Sequence, residues 1–562
     1  TEQLLAGIFA DVLGVERVGV TQNFFTDLGG DSILGIRVVA RANRAGLRLR
    51  PKQLFDYQSI AELAVVAERG GAVDAEQGLV TGGVPLTPVA RRFFESNPVD
   101  PQHFNQAVLL EVPAELDARA LDRAVAAMFA HHDALRLRFR RADGVWRQSC
   151  AAIAGTDRIV RLDLSAVGSA AQRDALERAN AAVQQGFDLA AGPIARFVHV
   201  DLGRARPGRL LIAAHHLAVD GVSWRILLED LQAAYLQCVS QPGAAVQLPP
   251  KTTSFKEWAE ALVEFAASEQ ALADAPYWLA RDAGRARRLP ADAPDAPDPA
   301  GAARTHTVSL TRDETEALLE RVARAYRTEI NDALLSALAA ALAQWTGSRS
   351  VSIELEGHGR EELHRELDVS RTVGWFTSHF PVCLELGAAL APDEVLKSVK
   401  EQLRAVPSRG ITYSVLRYLA NDPELASRLA AQPRPSVAFN YLGQFDHVLA
   451  EDSPFRPAGE RLGPLQSPRA VRSHTLYIGA NVSGACLHVA FTYGSGRFDA
   501  ATIERLAADY LHALRALIAH CTDSASAAFT PSDFPLASLD SGALEAVFAQ
   551  LDAADRSAAA GS

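Results

Sequence analysis

Two adjacent histidines and an aspartate stand where a core would normally close. His215, His216 and Asp220 lie in RLLIAAHHLAVDGVSWRILLEDL, residues 209–231, between the apolar run from Leu210 to Ala214 and a helical pattern beginning at Val222. Imidazoles titrate near neutrality, so a pair at a strand end offers acid–base chemistry. Neighbouring strand residues point to opposite faces, so the two histidines have different roles, one structural and the other functional. No third ligand follows at a metal-binding spacing. Ser223 lacks the G-x-S-x-G turn of a hydrolase nucleophile.

Three more stretches carry chemistry-bearing residues. In NFFTDLGGDSILGIRVVARANRAGLRL, Gly29 and Gly30 precede Asp31 and Ser32, and Ile33 to Ala45 reads as a helix that Gly46 terminates. Ser32 at such a helix start suits a phosphoester, because free N–H groups and the helix dipole favour negative charge; the alternative is a plain N-cap serine. In SVSIELEGHGRE, residues 350–355 alternate like a strand that ends in Glu356, Gly357, His358, Gly359 and Arg360. A carboxylate followed closely by glycines sits where backbone can approach a ligand; the alternative is a tight turn with Glu356 paired to Arg360. Trp375, Phe376 and Phe380 read as core aromatics. In PSVAFNYLGQFD, Asn440 and Tyr441 follow a short apolar strand, a position where Asn commonly serves a turn.

Elements able to position these groups need several cores, and 562 residues with 48% hydrophobic and 22% charged content supply them. A net charge of −11 without a segregated basic face disfavours nucleic acid and anionic membrane. Five cysteines without C-x-x-C pairing exclude a disulfide framework and fit a reducing cytoplasm. The longest apolar stretch, Leu334 to Trp345, is shorter than the ~20 residues of a membrane span and reads as a core helix. There is no signal peptide pattern, and the start at Thr1 within a helical pattern reads as a piece of a longer polypeptide.

Residues 1–69 have the rhythm of a small helical bundle, with Leu4, Leu5, Ile8, Phe9 and Val12 on one face. Residues 70–83 are glycine-rich and read as a flexible linker, able to span about 20 Å. From 84 to 281, strands such as Asn105–Val112 alternate with helices such as Ala118–His131. The proline-rich stretch 282–303 reads as a connection between two lobes, and 304–540 restarts with a strand and a helix capped near Thr311. Residues 541–562 read as a tail whose amphipathic part, Ala543 to Leu551, is either a docking helix or a frayed terminus.

FFTDLGGDSILGIRVV resembles the core of a peptidyl carrier protein of nonribosomal peptide synthetases, and RLRPKQLFDYQSIAELA extends that likeness to residue 69. VPLTPVARRFFES, NQAVLLE, HHLAVDGVSWRILLEDL, LEGHGRE, RTVGWFTSHFPV and FNYLGQ, in that order, resemble an epimerization domain of the condensation-domain superfamily. The resemblance implies a multidomain chain: a small helical-bundle carrier followed by an α/β, chloramphenicol-acetyltransferase-like two-lobed domain with a tunnel between the lobes. It implies 4'-phosphopantetheine on Ser32, no metal, and His216 and Glu356 facing each other across the tunnel. The implied reaction is L/D epimerization at the Cα of an aminoacyl or peptidyl thioester, with Asn440, Tyr441 and helix amides near Val222 as groups that stabilise charge on the thioester oxygen. Asp220 is expected to orient its loop by pairing with an arginine, and His215 to be structural. Implied partners are an upstream adenylation domain, a downstream condensation domain and a phosphopantetheinyl transferase. An amide-forming condensation domain and a non-catalytic docking module are the alternatives. Two departures stand out: Arg91 and Arg92 replace the family's frequent Gln and Trp in a stretch expected to lie far from the acid–base pair, and Thr412, Tyr413 and Ser414 replace a glycine-tyrosine-glycine.

Overall fold

Leu5, Phe9 and Val12 bury one face of the helix Glu2–Leu13 against Leu34, Val38 and Val39 of the helix Ser32–Arg44, and Leu54 and Leu63 close the cluster from the helices Pro51–Asp56 and Ile60–Val66. Phe24 meets both Phe9 and Phe25 edge-on at 5.1 Å, so the loop before Ser32 is pinned by its own aromatics. The computed structural model describes residues 1–70, 75–155, 158–280, 287–363, 366–444, 453–522, 529–534 and parts of 540–550. The sequence-expected tail at 541–562, and portions of the stretches 70–83 and 282–303, therefore lie largely or partly outside the described residues.

Beyond the bundle, a five-stranded sheet runs in the order Arg456–Pro457, Asn105–Val112, Gly208–His215, Ala195–Asp201 and Val160–Asp163. Every residue of Gly208–His215 is buried. The cause is cover on both faces: Leu210, Ile212 and Ala214 join the core beneath the helices Ala118–His131 and Gly221–Ser240, while Leu211 and Ala213 pack with Leu176 and Phe187. A continuous apolar run, rather than an alternating one, is what such a strand needs.

The second lobe is a six-stranded sheet ordered Ala303–Ser309, Cys486–Gly494, Leu476–Ser483, Val437–Gln444, Ser350–Gly357 and Ser378–Glu385. The helices Ile330–Thr346 and Ala500–Thr522 bury Leu334, Leu338, Ile503 and Tyr510 in its core. Among the described residues no helix is long and apolar enough to cross a membrane.

The structure corrects three expectations and places one departure. The linker reading fails for its second half: Gly82–Val84 is a strand paired with Val145–Cys150, and Val80 is buried beside it. The lobes are not contiguous in sequence either, since Arg456 and Pro457 cross back to pair with Glu111 and Leu110 of the first lobe. Asn440 and Tyr441 lie within the strand Val437–Gln444, just before a register irregularity, and not in a turn after it. Thr412, Tyr413 and Ser414 lie in the helix Ile411–Leu419, where the Ser414 hydroxyl donates to the His379 carbonyl at 2.6 Å.

Arg136 fastens the stretch expected to be a linker. Fully buried, it donates to the carbonyls of Val80 (2.9 Å), Phe129 (2.6 Å) and Ala151 (3.0 Å) and to Asp133 (2.8 Å). Replacing it with Met strands those acceptors, so Arg136→Met is expected to cost about 3–5 kcal/mol and to expose the 75–84 stretch. Urea unfolding with limited proteolysis checks this; an unchanged midpoint and cleavage pattern would overturn it.

Candidate functional site

The strand Gly208–His215 delivers its two histidines to different surroundings. His215 is wholly buried; its Nε2 lies 2.8 Å from the Pro101 carbonyl and its Nδ1 accepts from the Leu217 amide at 3.2 Å. Burial pushes this imidazole down to about 3, so it is a neutral spacer between strand and loop. His216 is half-buried, stacked on Phe104 at 5.2 Å and tilted against Trp375 at 4.3 Å. Burial lowers its proton affinity too, while hydrogen bonding to the Val219 carbonyl and the charge of Asp220 oppose that shift.

The tautomer of His216 follows from a chain of fixed donors. The Trp224 indole can only donate, and it donates to Oε1 of Gln106 at 2.6 Å. That fixes the amide, so its NH2 group faces Nε2 of His216 at 2.9 Å. Nε2 is therefore the acceptor, and Nδ1 carries the proton toward the Val219 carbonyl at 2.9 Å. A base must present a lone pair, and this arrangement keeps one on Nε2.

Asp220 caps the next helix and spans the lobes at once. It accepts from the amide and hydroxyl of Ser223, each at 2.7 Å, from the Phe376 amide at 3.1 Å and from Arg360 at 3.2 Å. Arg360 also donates to the Val369 and Thr372 carbonyls and stacks on Phe376 with its guanidinium 3.9 Å from the ring centre. Arg360 thus pairs with Asp220 and not with Glu356. The turn that brings it there needs a glycine: Gly359 has φ +68°, and a Cβ would overlap the Phe376 carbonyl.

Glu356, one residue before the end of the strand Ser350–Gly357, lies at the wall of a cavity of about 350 Å³. Ser32, Asp220, Asn440 and Tyr441 line the same cavity, whereas His216 is not among its lining residues. The Asn440 amide donates to Oε2 of Glu356 at 2.6 Å. Burial first, and the neighbouring Glu354 carboxylate second, push the Glu356 carboxyl up to about 7; Arg92 and hydrogen bonds from Tyr477 and Asn440 act in the opposite direction. The Tyr441 hydroxyl is buried without a hydrogen-bond partner, and its proton is held well above the usual phenol range.

Ser32 opens its helix directly after Asp31, which caps it through the amides of Ile33 (2.9 Å) and Leu34 (2.8 Å). The carrier bundle sits with this end at the cavity mouth. Gln444 donates to the Gly29 carbonyl at 3.0 Å, Asn43 to Asp368 at 3.3 Å, and Arg409 lies 3.6 Å from the Phe55 ring centre. The residues present fit a phosphopantetheine arm: a serine at a helix N-terminus shares one cavity with a buried, unpartnered hydroxyl and a carboxyl that retains its proton near neutrality.

Sequence reading missed Gln106, Trp224, Tyr477 and Glu354, all of which touch or flank the two acid–base candidates. The i, i+2 spacing of Glu354 and Glu356 on one strand face was the available signal for Glu354. The expectation that Arg92 lies far from the acid–base pair is wrong: it binds Glu354 at 2.9 and 2.5 Å, two residues from Glu356. Among the described residues His131, His132 and Asp230 bring ligating atoms within 4.8 Å of one another, but the Asp230 carboxylate is already engaged by Arg371 at 2.5 Å and by His132 at 3.0 Å.

Gly359→Ala is expected to destabilise the domain by about 2–4 kcal/mol and to release Arg360 from Asp220, because the added carbon cannot occupy the turn. Thermal unfolding tests it, and a midpoint equal to the parent's would show that the turn tolerates a side chain.

Residues 80–539 match the family model of the condensation domain, and residues 3–65 match that of the phosphopantetheine attachment site. The chain is 46% identical over 540 residues to a linear gramicidin synthase subunit of Brevibacillus parabrevis, covering 96% of this chain and 10% of that protein. It is 43% identical over 558 residues to chondramide synthase cmdD of Chondromyces crocatus, covering 98% and 14%. The chain thus spans a small fraction of the length of these relatives. Among solved structures, the epimerization domain from the third module of tyrocidine synthetase B superposes with a TM-score of 0.73 at 36% identity, over 80% of this chain and 99% of that one. The condensation domain of the monacolin K polyketide synthase MokA shares the fold at a TM-score of 0.62 and 17% identity, over 80% and 99%. With its carrier bundle seated at the cavity between two sheets, the chain belongs to the condensation-domain family of nonribosomal peptide synthetases, preceded by a phosphopantetheine attachment domain.

Proposed function

We propose that this chain inverts the Cα configuration of an aminoacyl or peptidyl thioester carried on Ser32, with Glu356 and His216 as the two proton-handling groups. The observation that carries this reading is Glu356, a carboxyl held near neutrality in the same cavity as Ser32. The likeness to an epimerization domain at 36% identity supports the same branch of the family. When bound, the phosphopantetheine arm supplies a thioester, which makes the Cα hydrogen acidic.

Inversion takes a proton from one face of Cα and returns one to the other, so two groups on different sides are required. Glu356 comes from the second sheet and His216 from the end of the first. Glu356 near pH 7 is divided between its two forms and can accept or donate without a large penalty. His216 holds the neutral, Nδ1-protonated form and offers Nε2 once the Gln106 amide yields that position. Asn440 steadies the Glu356 carboxylate, and the Tyr441 hydroxyl is free to donate to an oxygen that gains negative charge. Asp220, Arg360 and His215 hold the loop. In the parent synthetase, an adenylation domain would load the carrier, a downstream condensation domain would take the product, and a phosphopantetheinyl transferase would install the arm.

Deuterium wash-in at Cα of the loaded carrier tests the assignment. Glu356→Gln and His216→Ala are each expected to slow exchange by about 10²-fold or more, and Ser32→Ala to abolish loading. Exchange at the parent rate in His216→Ala would remove that residue from the mechanism. Chiral analysis of the released acyl group separates inversion from amide formation and from mere docking. For the tautomer chain, Gln106→Glu places a carboxylate beside Nε2 and favours the imidazolium, so the rate limb belonging to His216 is expected to move upward by about one pH unit. A limb that stays put would mean that Gln106 does not govern the ring.

A further inference from the structure

The groups behind Glu356 come from both lobes. Arg92, on the helix Pro88–Glu95, reaches across and clasps Glu354 with both guanidinium nitrogens, at 2.9 and 2.5 Å. Glu354 is 3% exposed and also meets Nε2 of His474 at 3.0 Å, while Nδ1 of His379 lies 3.5 Å away without a hydrogen-bond partner. A buried carboxylate clasped by a guanidinium and met by an imidazole stays ionised, and that of Glu354 is held well below the usual carboxylate range. The same helix is tied to the second lobe again where Glu95 meets Arg417 at 2.7 Å and Arg91 donates to the Tyr418 carbonyl at 2.9 Å. Bidentate geometry of this kind fixes distance as well as charge.

Resting on the reading of Glu356 as a proton carrier, we infer that Arg92 and Glu354, closed in by His379 and His474, form an interlobe positioning pair that couples the seating of the helix Pro88–Glu95 to the acid–base behaviour of Glu356. The physical basis is proximity along one strand. Residues i and i+2 project from the same face, so a permanent anion at Glu354 opposes ionisation of Glu356, while the guanidinium that neutralises Glu354 opposes that effect. Other groups near Glu356 are Asn440 on the adjacent strand Val437–Gln444, Tyr477 on the strand beyond it, and His379 directly opposite on Ser378–Glu385; His358, just past the strand end, lines the same cavity. Glu329, Asp332, Glu361, Arg404 and Arg409 line the cavity it borders. Arg92 and Glu354 are not among those lining residues, so their influence is transmitted through Glu356 and not by contact with substrate.

The sign differs for the two partners. Glu354→Gln keeps the shape, removes the anion and leaves the Arg92 charge, so Glu356 should lose its proton at lower pH. Arg92→Met removes the opposing cation, so Glu356 should keep its proton to higher pH; Arg92→Lys should restore most of the parent behaviour. The experiment uses the full chain with its loaded carrier. Titration of 13C-labelled glutamate carboxyls, assigned by comparison with Glu356→Gln, reads Glu356 directly, while wash-in rates against pH read its role. The expected result is displacement of the Glu356 titration by about half a unit to one unit, downward in Glu354→Gln and upward in Arg92→Met. A titration that does not move in Glu354→Gln overturns the inference, and this isosteric variant decides alone if Arg92→Met does not fold. A titration that moves while the pH–rate profile does not would uphold the coupling and instead overturn Glu356 as the proton carrier.

Discussion

Asp220 is the group on which the arrangement depends. Its carboxylate caps a twenty-residue helix, accepts from the backbone of the other lobe at Phe376 and pairs with a guanidinium that is itself 2% exposed. Removing either charge would leave the other buried and unpaired, a loss several times that of an exposed ion pair. Position adds to strength. The pair stands between His216, four residues before Asp220, and Glu356, four residues before Arg360, so one interaction sets the register of both stretches.

Carboxylates in this interior are differentiated by what surrounds them. Glu354 and Glu356 share a strand and a face, yet one is held ionised by Arg92 and the other retains its proton near neutrality with Asn440 and Tyr477 as its neutral partners. Pushing neighbouring titrations apart in this way assigns one group to electrostatics and leaves the other available for proton exchange. His215 and His216 show the same division one lobe away, where a buried spacer precedes a ring whose tautomer is dictated by Trp224 through Gln106.

What the sequence made legible follows from which signals are local. The apolar run before His215 and the helical pattern after Asp220 predict strand and helix, because both periodicities are written in neighbouring residues. The glycines around His358 likewise announce a turn that the left-handed backbone of Gly359 requires. Asn440 and Tyr441 looked like turn residues because polar side chains in a central strand are unexpected until a cavity is known to lie over them. Arg92 looked remote for a similar reason: its partner is 262 positions away, and only the crossing of the lobes brings it to Glu354. The crossing strand Arg456–Pro457 and the fastening of Val80 by Arg136 are also tertiary facts with no local signature.

Strength is distributed unevenly between the site and the carrier that serves it. Inside, Asp220–Arg360 and Glu354–Arg92 are buried, and their geometry is costly to disturb. At the carrier surface, Asp27 meets Arg324 at 3.2 Å with one partner largely exposed, Arg37 lies 3.8 Å from Glu229, and Asn43 reaches Asp368 at 3.3 Å. The exposed Asp27–Arg324 pair contributes a few tenths of a kcal/mol to about one and weakens with salt, and no contact in this set is a short, fully buried ion pair. A carrier that visits more than one partner has to dock without becoming trapped. Contacts of that kind around one serine, set against buried pairs beside one carboxyl, would let the bundle leave while Glu356 and Asp220 remain in place.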